Sequence, residues 1–158
     1  MERDIVVMRP SSTVKEAARE FAIYGVLGAP VINKKGELIG LLSEEDILSY
    51  IKSRDGKLIT NPNLSTLNAC FTGSFRNEEI CRLYDKIGEE KVENVMTDEV
   101  ISIGPNADAD EALETMVRFN VNRLPVVDNS GVLLGVLAKE NLIYRLHRAR
   151  THGIIDKN

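Results

Sequence analysis

Among the polar residues of this chain, Ser43 and Asp46 have the spacing best suited to ligand binding. They follow an apolar run that contains Gly40, at a point where a strand is predicted to lead into a helix. A glycine allows a ligand or backbone to approach closely, and the free N–H groups of a helix N-terminus suit an anion or a sugar hydroxyl. The carboxylate could accept both hydroxyls of a vicinal diol, as ribose is held in dinucleotide sites. The same pair equally fits a capping box, with Ser43 at the N-cap and Asp46 at N3.

Catalytic and metal chemistry have little support in the sequence. Cys70, Cys81, His147 and His152 are residue types that bind zinc, but they lack the short paired spacings of structural zinc sites. Two cysteines also make no disulfide framework, so we expect two free thiols and two surface histidines. No nucleophile elbow, P-loop or Rossmann glycine run is present. We expect no catalytic residue and no metal site, and a small enzyme would have only Asp46 as a general base.

The composition indicates a soluble globular protein with no broad nucleic-acid surface. The 158 residues carry a formal net charge of −4, and 43% of them are hydrophobic. An acidic chain lacks the positive field that a phosphate backbone requires, and four Phe, four Tyr and no Trp do not build a base-stacking platform. No apolar run approaches the roughly 18 residues of a membrane helix, and no secretory signal is visible. We therefore expect a cytoplasmic protein without a membrane partner.

The elements that position Ser43 and Asp46 occur twice. A constant shift of 95 residues aligns the second half with the first without a gap over 42 positions, of which eleven are identical. The identities include Pro30 with Pro125, Gly36 with Gly131 and Gly40 with Gly135. Two copies are too few for a solenoid, which needs about three or more repeats. They suit a closed pseudo-twofold pair.

Each copy is predicted to fold as strand, helix, strand, strand, helix. A proline ends the first strand, a capping motif begins the first helix, and a glycine-containing turn joins the next two strands. These signals are Pro10, Thr13 with Glu16 and the turn 33–36 in the first copy, and Pro105, Asp108 with Glu111 and the turn 128–131 in the second.

An insertion separates the two copies. Its composition predicts a loop over 53–76, followed by a helix near 77–88 that Gly88 would stop. We therefore divide the chain into a first repeat at 1–52, an insertion at 53–91, a second repeat at 92–148 and a C-terminal tail at 149–158.

With its two copies aligned, the sequence resembles a tandem pair of CBS domains, the module named after cystathionine β-synthase and also called a Bateman module. The resemblance is carried by Val95-Met96-Thr97, by the run 122–127 and by the Gly-hydrophobic-x-Ser-x-x-Asp pattern at 40–46. It implies an α/β fold class: two pseudo-twofold related β-α-β-β-α repeats packed through their sheets, with a partly helical insertion between them.

The resemblance also implies a function and a set of site residues. Paired repeats of this family form a cleft that binds AMP, ADP, ATP or S-adenosylmethionine as a regulatory ligand; no cofactor is required, and the module modulates a partner. We expect a homodimer, while the regulated protein stays unknown. By position in the family pattern, the base, ribose and phosphate contacts fall on Leu41, Ser43, Asp46, Thr97, Ile101, Val121, Asn122 and Arg123.

The two copies depart from the family pattern in complementary ways. The second has Ala138 and Asn141 in place of Ser43 and Asp46, and the first has Gly28 in place of Arg123. One site would therefore keep the hydroxyl, the carboxylate and the arginine, and we predict one nucleotide per chain. Arg123 is equally compatible with a surface ion pair. The alternative function is a scaffold that has lost ligand binding and serves only to dimerise or dock.

Overall fold

The computed structural model describes the backbone of residues 5–55 and 61–155, and the side chains of 5–54 and 61–148. The chain divides into two compact units, one comprising Val6–Val100 and the other, among the described residues, Ile5 with 101–155. Each unit contains one two-stranded antiparallel sheet, and the described residues form six α-helices in all. The predicted mixed α/β class with two repeated units is confirmed.

The unit Val6–Val100 begins its first helix with the predicted capping box. The Thr13 backbone N–H donates to Glu16 Oε2 (3.0 Å), and the Glu16 N–H donates to Thr13 Oγ1 (3.2 Å). The helix ends at Gly25, whose φ of 64° is left-handed. The elements of this unit are α1 (Val14–Tyr24), β1 (Gly28–Ile32), β2 (Leu38–Ser43), α2 (Glu44–Asp55), α3 (Leu64–Thr72), α4 (Glu78–Gly88) and a 3₁₀ turn (Val92–Asn94).

The second unit has the same kind of helix N-cap and the same left-handed residue after its first helix. The Glu111 N–H donates to Asp108 Oδ1 (2.8 Å), and Asn120 takes a left-handed φ of 52° at the position equivalent to Gly25. Its elements are α5 (Ala109–Arg118), β3 (Arg123–Val127), β4 (Leu133–Ala138) and α6 (Lys139–Ile155). Because α6 runs to Ile155, the predicted tail at 149–158 is helical over its described part.

The expected first strand of each repeat is reduced to a single parallel bridge, Met8 with Val31 and Ile103 with Val126. Met8 donates to the Pro30 carbonyl (2.8 Å) and accepts from Ile32 N–H (3.0 Å). The next ladder bonds on either side would need N–H groups from Pro10 and Pro30, which proline lacks. Pro105 and Pro125 stop the second ladder in the same way, so proline limits the pairing.

The hairpins bring the start of one strand beside the end of the next. Gly28 pairs with Ser43 in the first unit, and Arg123 pairs with Ala138 in the second.

Each unit has its own apolar core beneath its hairpin. The principal core residues of the first unit are Val14, Ala17, Phe21, Val31, Leu42, Ile47, Ile51, Leu67, Tyr84 and Ile87, and those of the second are Ala112, Met116, Leu124 and Leu142.

Two expectations for the insertion are wrong. The loop predicted over 53–76 contains α3, because Asn63 acts as an N-cap and accepts from Thr66 N–H (2.8 Å). Cys70 and Cys81 are joined by a disulfide rather than free, since α3 and α4 pack together and place their Cα atoms 5.1 Å apart. Helix α4 does end at Gly88, its last residue, but not by a left-handed turn: the C-cap is Glu89, with φ −78°, and a Cβ on the buried Gly88 would lie 2.5 Å from Phe71 Cζ.

Candidate ligand-binding site

The junction of β2 and α2 holds the Ser43–Asp46 pair in a reciprocal capping arrangement. The backbone N–H and the hydroxyl of Ser43 each donate to Asp46 Oδ2 at 2.8 Å, and the Asp46 N–H donates to Ser43 Oγ at 3.1 Å. Both side chains are half-buried. The capping box is therefore formed, and it fixes the carboxylate at the first turn of α2.

Thr97 approaches the same carboxylate from a distant part of the chain. Thr97 and Leu41 exchange backbone hydrogen bonds of 2.8 and 2.9 Å, which adds one antiparallel bridge to the edge of β2. The Thr97 hydroxyl donates to Asp46 Oδ1 at 3.1 Å. Two hydroxyls thus converge on one carboxylate, with an exposed Thr97 on the solvent side. Each carboxylate oxygen has two lone pairs; Oδ2 already accepts two donors and Oδ1 accepts one, so Asp46 can accept one further donor, at Oδ1, unless a hydroxyl rotates away.

The flexible Met96 side chain lies directly on Gly40 at this edge. A Cβ at position 40 would overlap Met96 Sδ and would lie 3.1 Å from both Met96 Cγ and Cε. The close approach that the sequence predicts at this glycine is therefore made by a side chain of the same unit. Met96 was missed as a site residue, although its neighbour Thr97 was predicted.

The remaining predicted residues lie in the second unit. Ile101 and Val121 are half-buried and pack against the core of that unit. The Asn122 carbonyl accepts the Lys139 N–H (2.9 Å), while the side chains of Asn122 and Arg123 are exposed. The structure thus brings Leu41, Ser43, Asp46 and Thr97 together in one unit, and it places Ile101, Val121, Asn122 and Arg123 in the other.

The strand pairing places the residues that differ between the two repeats directly opposite each other. Ser43 lies opposite Gly28, where a Cβ would already be 3.1 Å from the Leu42 carbonyl oxygen and 3.7 Å from Ser43 Cβ. In the second unit the long Arg123 side chain lies opposite Ala138, which offers only a methyl group. A hydroxyl therefore stands opposite a glycine in one repeat, and an arginine stands opposite an alanine in the other.

A second polar contact, which the sequence did not suggest, joins α2 to the segment that leads to Thr97. The Tyr50 hydroxyl donates to Glu90 Oε2 (2.8 Å), and Asn94 Nδ2 donates to Glu90 Oε1 (2.7 Å). The hydrogen bonds from Asn94, Tyr50 and the Lys91 N–H lower the pKa of Glu90 below its ordinary 4.5. The pKa of Tyr50 is raised above its ordinary 10.0, mainly by burial and secondly by the hydrogen bond to Glu90. Tyr50 and Glu90 are 40 residues apart, so no local sequence pattern could pair them.

Neither a metal-binding cluster nor a membrane-spanning helix occurs among the described residues. Within residues 5–54 and 61–148, no group of three or more His, Cys, Asp and Glu side chains could hold a metal ion. His147 is exposed on α6, and the side chain of His152 lies outside the described residues. None of the helices in the described part of the chain is long and apolar enough to cross a membrane.

The duplicated hairpin-and-helix units, with Ser43 and Asp46 at a strand end in the first, define a tandem CBS pair. The family model described as CBS domain matches residues 1–53 and 92–148, and the chain belongs to this family. The uncharacterized protein MJ1426 of Methanocaldococcus jannaschii is 34% identical over 148 residues, which cover 92% of this chain and 88% of that protein. The family resemblance inferred from the sequence is therefore confirmed.

Two further matches show that this module occurs both as part of a larger protein and as most of a chain. Inosine-5'-monophosphate dehydrogenase of Korarchaeum cryptofilum is 27% identical over 143 residues, which span 90% of this chain but only 22% of the dehydrogenase. CBSX2 is a CBS-pair protein of Arabidopsis thaliana. Its crystal structure in complex with AMP matches this chain with a TM-score of 0.65 at 23% sequence identity. The match covers 94% of this chain and 92% of the CBSX2 chain. The structural match establishes the fold, and CBS pairs are generally regulatory modules.

Proposed function

We propose that this chain is a non-catalytic regulatory module that binds one adenosine-containing ligand and modulates a partner protein. The observation that carries the proposal is the Asp46 carboxylate, which is held by Ser43 and faced by the Thr97 hydroxyl. The CBSX2 complex with AMP adds support, because it shows that a protein of this fold takes an adenine nucleotide. AMP is therefore the first ligand to test, ahead of ADP, ATP and S-adenosylmethionine.

The proposal assigns a physical role to each residue. Asp46 accepts hydrogen bonds from the ribose diol, because an ionised carboxylate is the stronger type of acceptor. Ser43 and Thr97 orient that carboxylate and can rotate their hydroxyls toward a ligand. Leu41, half-buried beside Thr97, offers apolar contact to the base. The family pattern adds the exposed Arg123 as a phosphate contact, with Ile101, Val121 and Asn122 at the base.

A regulatory effect requires that the ligand prefer one conformation of the module. A ligand that bonds to both Asp46 and Thr97 would stabilise the single bridge between Leu41 and Thr97. That bridge ends the segment that begins at Glu90. The start of the segment is already fixed by the Tyr50 hydroxyl, by the buried Val92 and by backbone hydrogen bonds to residues 10–14, so the bridge at Thr97 is the part that a ligand would stabilise. We therefore propose that ligand binding stabilises the segment 90–97 against the edge of β2, and that the partner responds to this change.

A thermal-shift screen with AMP, ADP, ATP and S-adenosylmethionine tests the ligand proposal. The wild-type chain should gain about 2.7 kcal/mol of stability when the ligand is present at roughly 100 times its dissociation constant, and its Tm should rise accordingly. Asp46→Ala should lose that rise, because it removes the diol acceptor.

The matched control is Glu16→Ala, which breaks the equivalent capping box of α1. Both variants should lower the ligand-free Tm, since each loses the hydrogen bond from the N-cap backbone N–H to the N3 carboxylate, and a typical hydrogen bond contributes roughly 0.5–1.5 kcal/mol. Only Asp46→Ala should lose the response to ligand. An Asp46→Ala chain that still responds like wild type would reject Asp46 as the diol acceptor.

Exposed apolar side chains favour the homodimer that the sequence led us to expect. Ile23, Tyr24 and Leu27 are 64%, 63% and 71% exposed at the end of α1, and Val117 and Phe119 are 63% and 47% exposed at the equivalent end of α5. Solvent-exposed apolar clusters of this kind mark interaction surfaces. Because the feature is repeated in both units, we propose a second copy of this chain as its occupant, which is also the contact that a ligand-free scaffold would use.

Light scattering after size exclusion tests the dimer. Leu27→Lys places a charge in the apolar cluster and should shift the chain from dimer toward monomer. Thr72→Lys adds the same charge at an exposed position of α3 and should leave the dimer intact. A monomeric wild type, or a Leu27→Lys dimer of unchanged affinity, would rule out this surface.

A further inference from the structure

We propose that Cys70 and Cys81 form a reversible thiol–disulfide site whose redox state sets how firmly α3 is held in the unit Val6–Val100. The disulfide joins the last turn of α3 to the first turns of α4, with the two Cα atoms 5.1 Å apart. Neither cysteine takes part in the proposed ligand site. The inference is therefore independent of whether the chain binds a nucleotide.

The two sulfur atoms differ in their access to a reductant. Cys70 is 9% exposed within the core cluster, whereas Cys81 is half-buried and follows the exposed segment 72–79. A thiolate reductant must reach one sulfur directly along the disulfide axis. Cys81 is therefore the sulfur we expect to be attacked.

A small dithiol is the reductant in the proposed thiol–disulfide exchange, and it supplies both electrons. One thiolate of the dithiol attacks Cys81 Sγ, and Cys70 leaves as a thiolate that takes up a proton. The second thiol of the reagent then loses its proton and displaces Cys81, which is protonated in turn. The reagent ends as a cyclic disulfide, and the protein has gained two electrons, two protons and two thiols.

The folded unit can accommodate the reduced pair. Cys81 Sγ lies 3.5 Å from the Phe75 carbonyl oxygen, so a Cys81 thiol would have an acceptor already in place. Cys70 lies among apolar side chains, where a free thiol behaves as a small hydrophobic group. Reduction therefore does not require the unit to unfold.

Apart from the disulfide, α3 is held by packing against α1 and α4. The nine-residue helix buries Leu67, donates from Asn68 Nδ2 to the Ala18 carbonyl (3.2 Å), and places Phe71 against Gly88 and under Lys15. A helix of this length is marginal by itself, so it depends on such attachments. Loss of the disulfide should make α3 the first element of the unit to open.

Hydrogen exchange and thiol alkylation on the full chain test the proposal. The oxidised chain should resist alkylation, and treatment with dithiothreitol without denaturant should expose two alkylatable thiols. Amide exchange over 64–72 should then accelerate roughly 10- to 100-fold, the Tm should fall by roughly 5–10 °C, and reoxidation should restore both values. Amides of α1 and β2 should keep their protection.

The double variant Cys70→Ala with Cys81→Ala serves as the redox-inert control. It should show the fast exchange of α3 with and without dithiothreitol, which separates the disulfide from other effects of the reagent. Alkylation of both cysteines without reductant would overturn the proposal. So would a disulfide that is reduced only in denaturant, or an exchange rate of α3 that is the same in both redox states.

Discussion

At the scale of single residues, Asp46 combines a structural role with the proposed binding role. Its bonds to Ser43 are local, and a spacing of three residues is enough to predict them. Its bond to Thr97 spans 51 residues, and no local pattern contains that contact. Thr97 could be predicted only because the sequence resembles a family in which that position faces the ligand. Met96 belongs to the run that carries the resemblance, but nothing in the sequence indicated that its side chain covers Gly40.

Gly40→Ala tests the packing that places Thr97. An added methyl group must displace the flexible end of Met96, so the cost should fall at the low end of the roughly 1–3 kcal/mol that overpacking costs. Chemical denaturation should show this loss of unfolding free energy. Gly104→Ala is the matched control, since a Cβ at Gly104 would meet nothing within 4 Å, and it should change stability little. Equal stability of the two variants would contradict the close contact with Met96.

At the scale of elements, local signals predicted most helices and hairpins. The capping residues Thr13 and Asp108 and the turns ending at Gly36 and Gly131 behave as their residue types require. The first strands are shorter than predicted because pairing depends on N–H groups that proline lacks in both partners. Helix α3 was missed because its Asn, Ser and Thr residues are also typical of loops, and the burial of Leu67 and Cys70 that distinguishes the two is not visible in the sequence.

The contact between α2 and the segment after α4 predicts a pH dependence. Because the pKa of Glu90 is lowered in the folded chain, its contribution to stability is present above about pH 4.5 and is lost as pH falls through the folded value. The pKa of Tyr50 is raised, so its contribution is present below about pH 10 and is lost at higher pH.

Glu90→Gln should therefore lower the unfolding free energy at pH 7 by a few tenths of a kcal/mol, because the pair is only half-buried. Denaturant titrations from pH 3 to 7 should show the difference from wild type shrinking as the pH falls. Glu93→Gln removes the same charge from an exposed neighbour and should show no such trend. A constant difference across this range would exclude the ionised Glu90 as its source.

At the scale of the whole molecule, the sequence repeat and the compact units do not coincide. The family match to the second copy begins at residue 92, yet the first unit extends to Val100. Val92 is buried in the first core, and Thr97 pairs with Leu41, so this segment contributes to the site in the unit before its own repeat. A sequence alignment identifies the two copies, but it does not reveal which unit a connecting segment joins.

Isothermal titration of the wild-type chain with AMP tests the central claim most directly. Only the first repeat has the hydroxyl and the carboxylate, since Ala138 and Asn141 replace them in the second. The account predicts saturable binding with one AMP per chain and loss of that binding in Asp46→Ala. Two equivalent sites per chain, or unchanged binding by Asp46→Ala, would contradict it.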